Sequence, residues 1–126
     1  MSVVGVGTDI VEVGRIASMA EAAKQRLAKR VLTPEELAVF AEHPQADSYL
    51  AKRWAAKEAA SKALGTGIAD SVSFQHFHIT NTDMGAPIID LSDRALELAH
   101  RLGANSWHIS ISDEKHYALA FVVLSK

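Results

Sequence analysis

The 126-residue chain contains no cysteine. Disulfides, thiolate metal sites and cysteine nucleophiles are thereby excluded. Proline is scarce, with three residues, and no Pro/Gly/Ser-rich linker or internal repeat divides the sequence. A single domain over residues 1–126 is expected. No run approaches the roughly 18 uncharged apolar residues of a membrane span. The opening Met-Ser-Val-Val-Gly-Val-Gly lacks a basic leader followed by an apolar core. The expected setting is therefore the cytoplasm, without membrane attachment. Surplus positive charge is missing too. The net charge is −2, which gives no reason to expect nucleic acid as a partner.

What remains is an ordinary globular mixture, 48% hydrophobic and 22% charged, and it is ordered along the chain. Val3 to Val6 reads as a short buried strand, with Gly5 and Gly7 allowing close backbone approach. A helix is expected from the region of Asp9–Glu12 toward Ala23, and more helix from Arg26 to Leu32. Thr33-Pro34-Glu35-Glu36 is a helix start: a threonine cap, proline in the first turn and acids near the positive end of the dipole. The alanine-rich stretch from Asp47 to Leu64 is the strongest helix signal, closed by Gly65.

Thereafter strands predominate. Val72–Phe74, Phe77–Thr80 and Pro87–Asp90 are separated by turn residues, and a helix spans residues 92–102 with Ser92 as its cap. Trp107, Ile109 and Ile111 alternate with His108, Ser110 and Ser112 in the first arm of a hairpin. Its second arm, Tyr117 to Leu124, is apolar on both faces and so is expected to be central or covered by another subunit. Helices early and strands late, without βαβ alternation, predict an α+β fold with an antiparallel sheet.

Several familiar sites are missing. Gly5-Val6-Gly7 lacks the third glycine of a dinucleotide fingerprint, there is no P-loop, and the six histidines form no zinc pattern. Two acids stand out instead. Asp9 lies beside flexible glycine backbone, where an aspartate taken alone would cap a helix. Glu58 lies mid-helix, where Glu58 and Lys62 taken alone are an i,i+4 pair. Trp54, Glu58 and Lys62 share one helix ridge, and Arg53, Lys57 and Ser61 the next. Cations and a hydroxyl around one carboxylate suit a phosphate-bearing ligand held with a metal. Gly65-Thr66-Gly67 adds backbone amides beside them. Two carboxylates with open coordination positions suit Mg²⁺. From Glu12 to Arg30, five basic residues face two acidic ones.

Val6-Gly7-Thr8-Asp9-Ile10-Val11-Glu12-Val13 with Arg15-Ile16 downstream, and Arg53-Trp54-Ala55-Ala56-Lys57-Glu58-Ala59, resemble the two signature blocks of the phosphopantetheinyl transferases. The continuation Ala60-Ser61-Lys62-Ala63-Leu64-Gly65-Thr66-Gly67-Ile68 is similar to the short bacterial group, the holo-acyl-carrier-protein synthases. The resemblance covers essentially the whole chain. It implies an antiparallel sheet packed against a long helix, assembling as a homotrimer with coenzyme A bound between neighbours. It implies Mg²⁺ on Asp9 and Glu58, and Lys62 facing the coenzyme diphosphate. Arg53, Ser61, Gly65 and His108 match positions near the coenzyme. It also implies that an acyl carrier protein docks on the basic first helix, through Arg15, Met19, Arg26 and Arg30. Many members carry a histidine after the late Ser-x-Ser, where this chain has Asp113, so nothing assigned to that histidine carries over.

The implied reaction moves the 4′-phosphopantetheine arm of coenzyme A onto a carrier serine, releases adenosine 3′,5′-bisphosphate and supports fatty acid biosynthesis. Asp9, Glu58 and Lys62 are its expected catalytic residues. The base is either Glu58 acting through a water or a water on the metal. Two rivals use the same residues: a metal-dependent phosphoanhydride hydrolase, and a trimeric nucleotide-binding or scaffold module without turnover.

Overall fold

A computed structural model describes residues 2–126. It begins with a strand, β1 (Val3–Glu12), which passes directly into a short helix, α1 (Val13–Ala17). Three helices follow: α2 (Glu21–Val31), α3 (Pro34–Glu42) and α4 (Ala46–Ala63). A 3₁₀ turn (Phe74–His76) leads into a hairpin of β2 (Phe77–Asn81) and β3 (Pro87–Leu91). Helix α5 (Asp93–Arg101) and the closing hairpin of β4 (Ser106–Asp113) and β5 (Tyr117–Ser125) complete the chain. The larger sheet is antiparallel in the order β1-β5-β4, and β2 and β3 form a separate two-stranded sheet. The expected α+β class holds. No helix among the described residues is long and apolar enough to cross a membrane.

Local chemistry accounts for the clearest elements. At the start of α3 the Thr33 hydroxyl accepts from the Glu36 N–H at 3.3 Å, and Glu36 Oε1 accepts from the Thr33 N–H at 2.8 Å. This reciprocal pair satisfies two amides that a helix start leaves orphaned. Helix α4 runs without Gly or Pro until Gly65, whose φ of 84° closes it. Strand β5 is central, as its composition requires: Ala118, Ala120, Val122 and Leu124 face the core, while Tyr117, Leu119 and Phe121 lie on the opposite, exposed face.

Four expectations need correction. The helix expected from Asp9–Glu12 to Ala23 is instead strand as far as Glu12, because residues 9–12 pair with Ala120, Leu119, Ala118 and Tyr117 of β5. Helix resumes only in α1 and then, after a break at Ser18–Ala20, in α2. Long-range pairing has overridden a local capping signal. Val3 and Val6 are exposed rather than buried, since one face of β1 has no cover in the single chain. Val72–Phe74 is no strand; the Val72 N–H closes a turn on Ala69 O and the 3₁₀ turn follows. Ser92 does precede α5, but its hydroxyl bonds His76 O rather than capping the helix.

Two contacts hold β1, α3 and α4 together. Gly5 and Gly7 face α4 with no side chain between the backbones: a Cβ on Gly7 would stand 2.0 Å from Ala59 O, and one on Gly5 2.2 Å from Ala63 O. The second contact is a fully buried ion pair. Lys57 Nζ donates to Glu36 Oε1 at 2.6 Å and to Val31 O at 2.7 Å, and Glu36 Oε2 accepts from the Ile79 N–H at 2.8 Å. Burial lowers the Lys57 pKa from its ordinary value, and the Glu36 carboxylate opposes that fall. Removing one partner of such a pair strands the other charge, at a cost of about 3–5 kcal/mol.

The glycine contact makes a direct prediction. Gly7→Ala places a methyl group against backbone that cannot rotate aside, so β1 must retreat from α4. The urea midpoint should fall by the equivalent of about 1–3 kcal/mol or more. An unchanged midpoint would show that β1 has slack against the helix.

Candidate functional site

The close approach of β1 to α4 decides which side chains meet. Gly5, Gly7 and Asp9 alternate onto the same face of the strand, so the residue following the two glycines on that face reaches the helix with its side chain. It meets the ridge that carries Trp54, Glu58 and Lys62. Lys62 Nζ donates to Asp9 Oδ1 at 2.9 Å and to Thr8 O at 3.1 Å. The lysine side chain remains 51% exposed and the aspartate 20%, so the pair sits at an open edge of the molecule.

Glu58 stands beside this pair, and its surroundings do not suit its charge. Burial first, and then the Asp9 carboxylate, raise its pKa above the ordinary glutamate value. Lys62, Arg30 and the Trp54 indole N–H pull the other way without cancelling the rise. Arg30, on α2, belongs to the basic segment. Arg15 reaches the same ridge, its guanidinium 5.3 Å from the centre of the Trp54 ring. That stacking needs no charged partner and brings the end of α1 against the ridge.

The other expected residues are spread more widely. Ser61 is fully buried, and its hydroxyl donates to Glu58 O at 2.8 Å, supporting the helix turn that presents Glu58. Gly65 lies just beyond Lys62. Its amide, however, donates to Lys62 O, and the Gly67 amide donates to Ser61 O. These two amides finish the helix and are not available to a ligand, contrary to the expectation for Gly65-Thr66-Gly67. Met19 is half-buried, and Arg26 and Arg30 are exposed along α2.

Arg53 and Lys57 are not part of this cluster. Lys57 is the buried partner of Glu36. Arg53 is buried on a different face, with NH2 donating to Asn81 Oδ1 at 2.9 Å and the guanidinium over the Tyr49 ring at 4.7 Å. Its Nε has no hydrogen-bond partner among the described residues. His108 lies on β4, where Nε2 is 3.3 Å from Ser125 Oγ. The sequence reading passed over Trp54 as a site residue. Its position four residues before Glu58 was the available signal, but the partner that stacks on it, Arg15, comes from a distant part of the chain.

The chain's likeness to known proteins is extensive. Residues 5–122 match the family model for the 4′-phosphopantetheinyl transferase superfamily. The chain is 55% identical over 124 residues to the holo-[acyl-carrier-protein] synthase of Shewanella denitrificans, with 98% of each chain covered. The crystal structure of holo-[acyl-carrier-protein] synthase from Neisseria meningitidis superposes with a TM-score of 0.88 at 42% identity, covering 99% of this chain and 100% of that one. The Helicobacter pylori holo-[acyl-carrier-protein] synthase, solved in complex with coenzyme A, gives a TM-score of 0.80 at 34% identity over 95% of this chain and 99% of that one. With sequence and fold matched from end to end, the chain belongs to the 4′-phosphopantetheinyl transferase superfamily, among its holo-acyl-carrier-protein synthases.

Proposed function

We propose that the chain transfers the 4′-phosphopantetheine arm of coenzyme A to a serine of apo-acyl carrier protein, in the cytoplasm and in support of fatty acid biosynthesis. The observation that carries this reading is the cluster at the β1–α4 contact, two carboxylates and one exposed lysine bordered by a basic surface. The serine oxygen forms a bond to the phosphorus that bears the arm. The bond from that phosphorus to the leaving oxygen breaks, and adenosine 3′,5′-bisphosphate departs. Such transfers depend on positioning and charge stabilisation more than on covalent help.

The cluster suits Mg²⁺. Asp9 and Glu58 are hard oxygen donors whose mutual repulsion contributes to the raised Glu58 pKa. Among the described residues no third His, Cys, Asp or Glu joins a group with them. A two-carboxylate donor set matches a cation that keeps waters and takes phosphate oxygens as ligands. Asp9 and Glu58 would hold it. When bound, the cation supplies positive charge to the diphosphate. Lys62 contributes its own: the ammonium that donates to Asp9 in the free chain is exposed and long enough to turn to the non-bridging oxygens. Glu58 would accept the serine proton through a water.

The uncovered face of the large sheet supports assembly. Val6 and Ile10 are each 56% exposed, and Tyr117, Leu119 and Phe121 are exposed beside them. A continuous apolar face of this kind marks an interface. We assign it to further copies of the chain, three in all by family resemblance. Arg53 and His108 of one copy would then complete the coenzyme site of its neighbour, which gives the unpartnered Arg53 Nε a role. The carrier would dock on Arg15, Met19, Arg26 and Arg30, a basic face suited to an acidic partner.

The deciding experiment is incubation with coenzyme A, Mg²⁺ and apo-carrier, followed by the intact mass of the carrier. An unmodified carrier with phosphopantetheine released would identify a hydrolase instead. Glu58→Gln tests the cluster. Because folding raises the Glu58 pKa, the ionised carboxylate opposes the fold at neutral pH, an opposition that fades as pH falls through the raised value. The variant should melt no lower than the parent at pH 7 while turnover falls on the order of a hundredfold or more. A clear loss of Tm would make Glu58 structural, and undiminished activity in excess chelator would remove the metal.

Phe121→Asp places a charge on the uncovered sheet face and should reduce the mass seen by light scattering from trimer to monomer, with loss of activity. A monomeric parent at micromolar concentration contradicts the assembly. Reversing charge at Arg15 and Arg26 should raise the carrier KM on the order of tenfold, leaving kcat at saturating carrier little changed. An unchanged carrier KM would mean that these arginines form only a solvated face.

A further inference from the structure

The loop from Gly65 to Ser73 leaves α4 just beyond Lys62 and departs from ordinary backbone geometry at four places. Gly65 and Gly67 have φ of 84° and 65°, which glycine adopts freely. Asp70 and Ser71 have φ of 56° and 68°, in a region that side chains disfavour. Together with the Val72 N–H on Ala69 O at 3.0 Å, they have the φ signature of a type I′ turn, which ordinarily calls for Asn or Gly. A serine held there requires surroundings that impose the shape.

Those surroundings are supplied by Arg94, at the start of α5. Its Nε donates to Asp70 O at 3.2 Å, and its NH2 donates to Asp70 Oδ2 at 3.0 Å. The remaining arm, NH1, donates to Glu97 Oε1 at 2.7 Å, which fixes the guanidinium against its own helix. One planar fork therefore grips both the main chain and the side chain of a single turn residue, a geometry that a point charge cannot reproduce. At its other end the loop is tied to α4 by the Gly65 and Gly67 amides. Arg94 makes no hydrogen bond or ion pair with Asp9, Glu58 or Lys62.

We propose that Arg94 is a positioning residue for the coenzyme, holding the Gly65–Ser73 loop in the shape that borders Lys62. The proposal rests on the reading of Lys62 as a coenzyme contact and of Gly65 as lying near the coenzyme. A loop held before binding does not have to be ordered by the ligand, and that difference falls on affinity. An exposed ion pair adds little to global stability, so the effect is local.

The test compares Arg94→Ala and Arg94→Lys with the parent. Without ligand, amide hydrogen exchange of residues 66–72 should quicken in Arg94→Ala while the rest of the chain exchanges as before. The coenzyme A KM should rise about fivefold, with carrier KM and saturated kcat within about twofold. Arg94→Lys should recover only part of the difference. Unchanged loop exchange in Arg94→Ala overturns the clasp, and faster exchange with an unchanged coenzyme KM overturns its role in binding. A matching rise in both KM values also overturns it, because that is general damage. Failure of the transferase reading shows separately, as unmodified carrier with the parent chain. In that event the calorimetric affinity for coenzyme A, weaker in Arg94→Ala or equal to the parent, decides the proposal.

Discussion

Gly5 and Gly7 let the backbone of β1 lie directly against Ala63 and Ala59 of α4, and the arrangement of the site follows from that distance. With a side chain at either position, the strand would stand off from the helix by the width of a methyl group or more. Asp9 would then no longer meet Lys62, and its charge would act less strongly on Glu58. Along one edge the same strand pairs with β5. Strand β1 is therefore fixed in two directions, by ladder bonds along one edge and by steric contact across one face. The price of the close approach is an alanine-lined helix face, with little apolar bulk to bury at the contact.

Two lysines on α4 separate the electrostatics of folding from that of chemistry. Lys57 is enclosed, with its charge met by Glu36, Val31 O and, through Glu36, the amides of Thr33 and Ile79. Every polar group named there has a partner, and the network joins α2, α3, α4 and β2. Lys62, five residues on, is exposed and faces two carboxylates, one of which is held at a raised pKa. A cluster that leaves charge poorly compensated is expected of a site that awaits ligands and not of one that stabilises a fold.

Much of this was legible in the sequence where local chemistry decides the outcome. The capping box at Thr33, the uninterrupted alanine helix ended by Gly65 and the alternation of Trp107 to Ser112 each specify one conformation within a few residues. The extension of β1 through Asp9 to Glu12 was not legible, because it depends on β5, more than a hundred residues away. Nor could ridge spacing on α4 separate Lys57 from Lys62. A helical wheel orders residues around the axis but does not say which side the rest of the chain will cover. For the same reason it could not show that Arg53 lies on a different face from Glu58 within the chain. The Asp9–Glu58–Lys62 grouping came from the signature blocks, and the reason the three residues meet became apparent only from the glycine contact.

The burial of Lys57 bears on how signature blocks are interpreted. Arg53-Trp54-Ala55-Ala56-Lys57-Glu58-Ala59 reads as a single chemical motif, yet adjacent letters in it answer to different selective demands. Lys57 holds four elements together, and Glu58 faces the reactive edge. A survey that scored substitutions by cellular activity alone would give both positions the same intolerance. Only measurements normalised to the quantity of folded protein would separate a loss of abundance from a loss of rate. The motif is better understood as a folding determinant and a reactive group that share one helix turn.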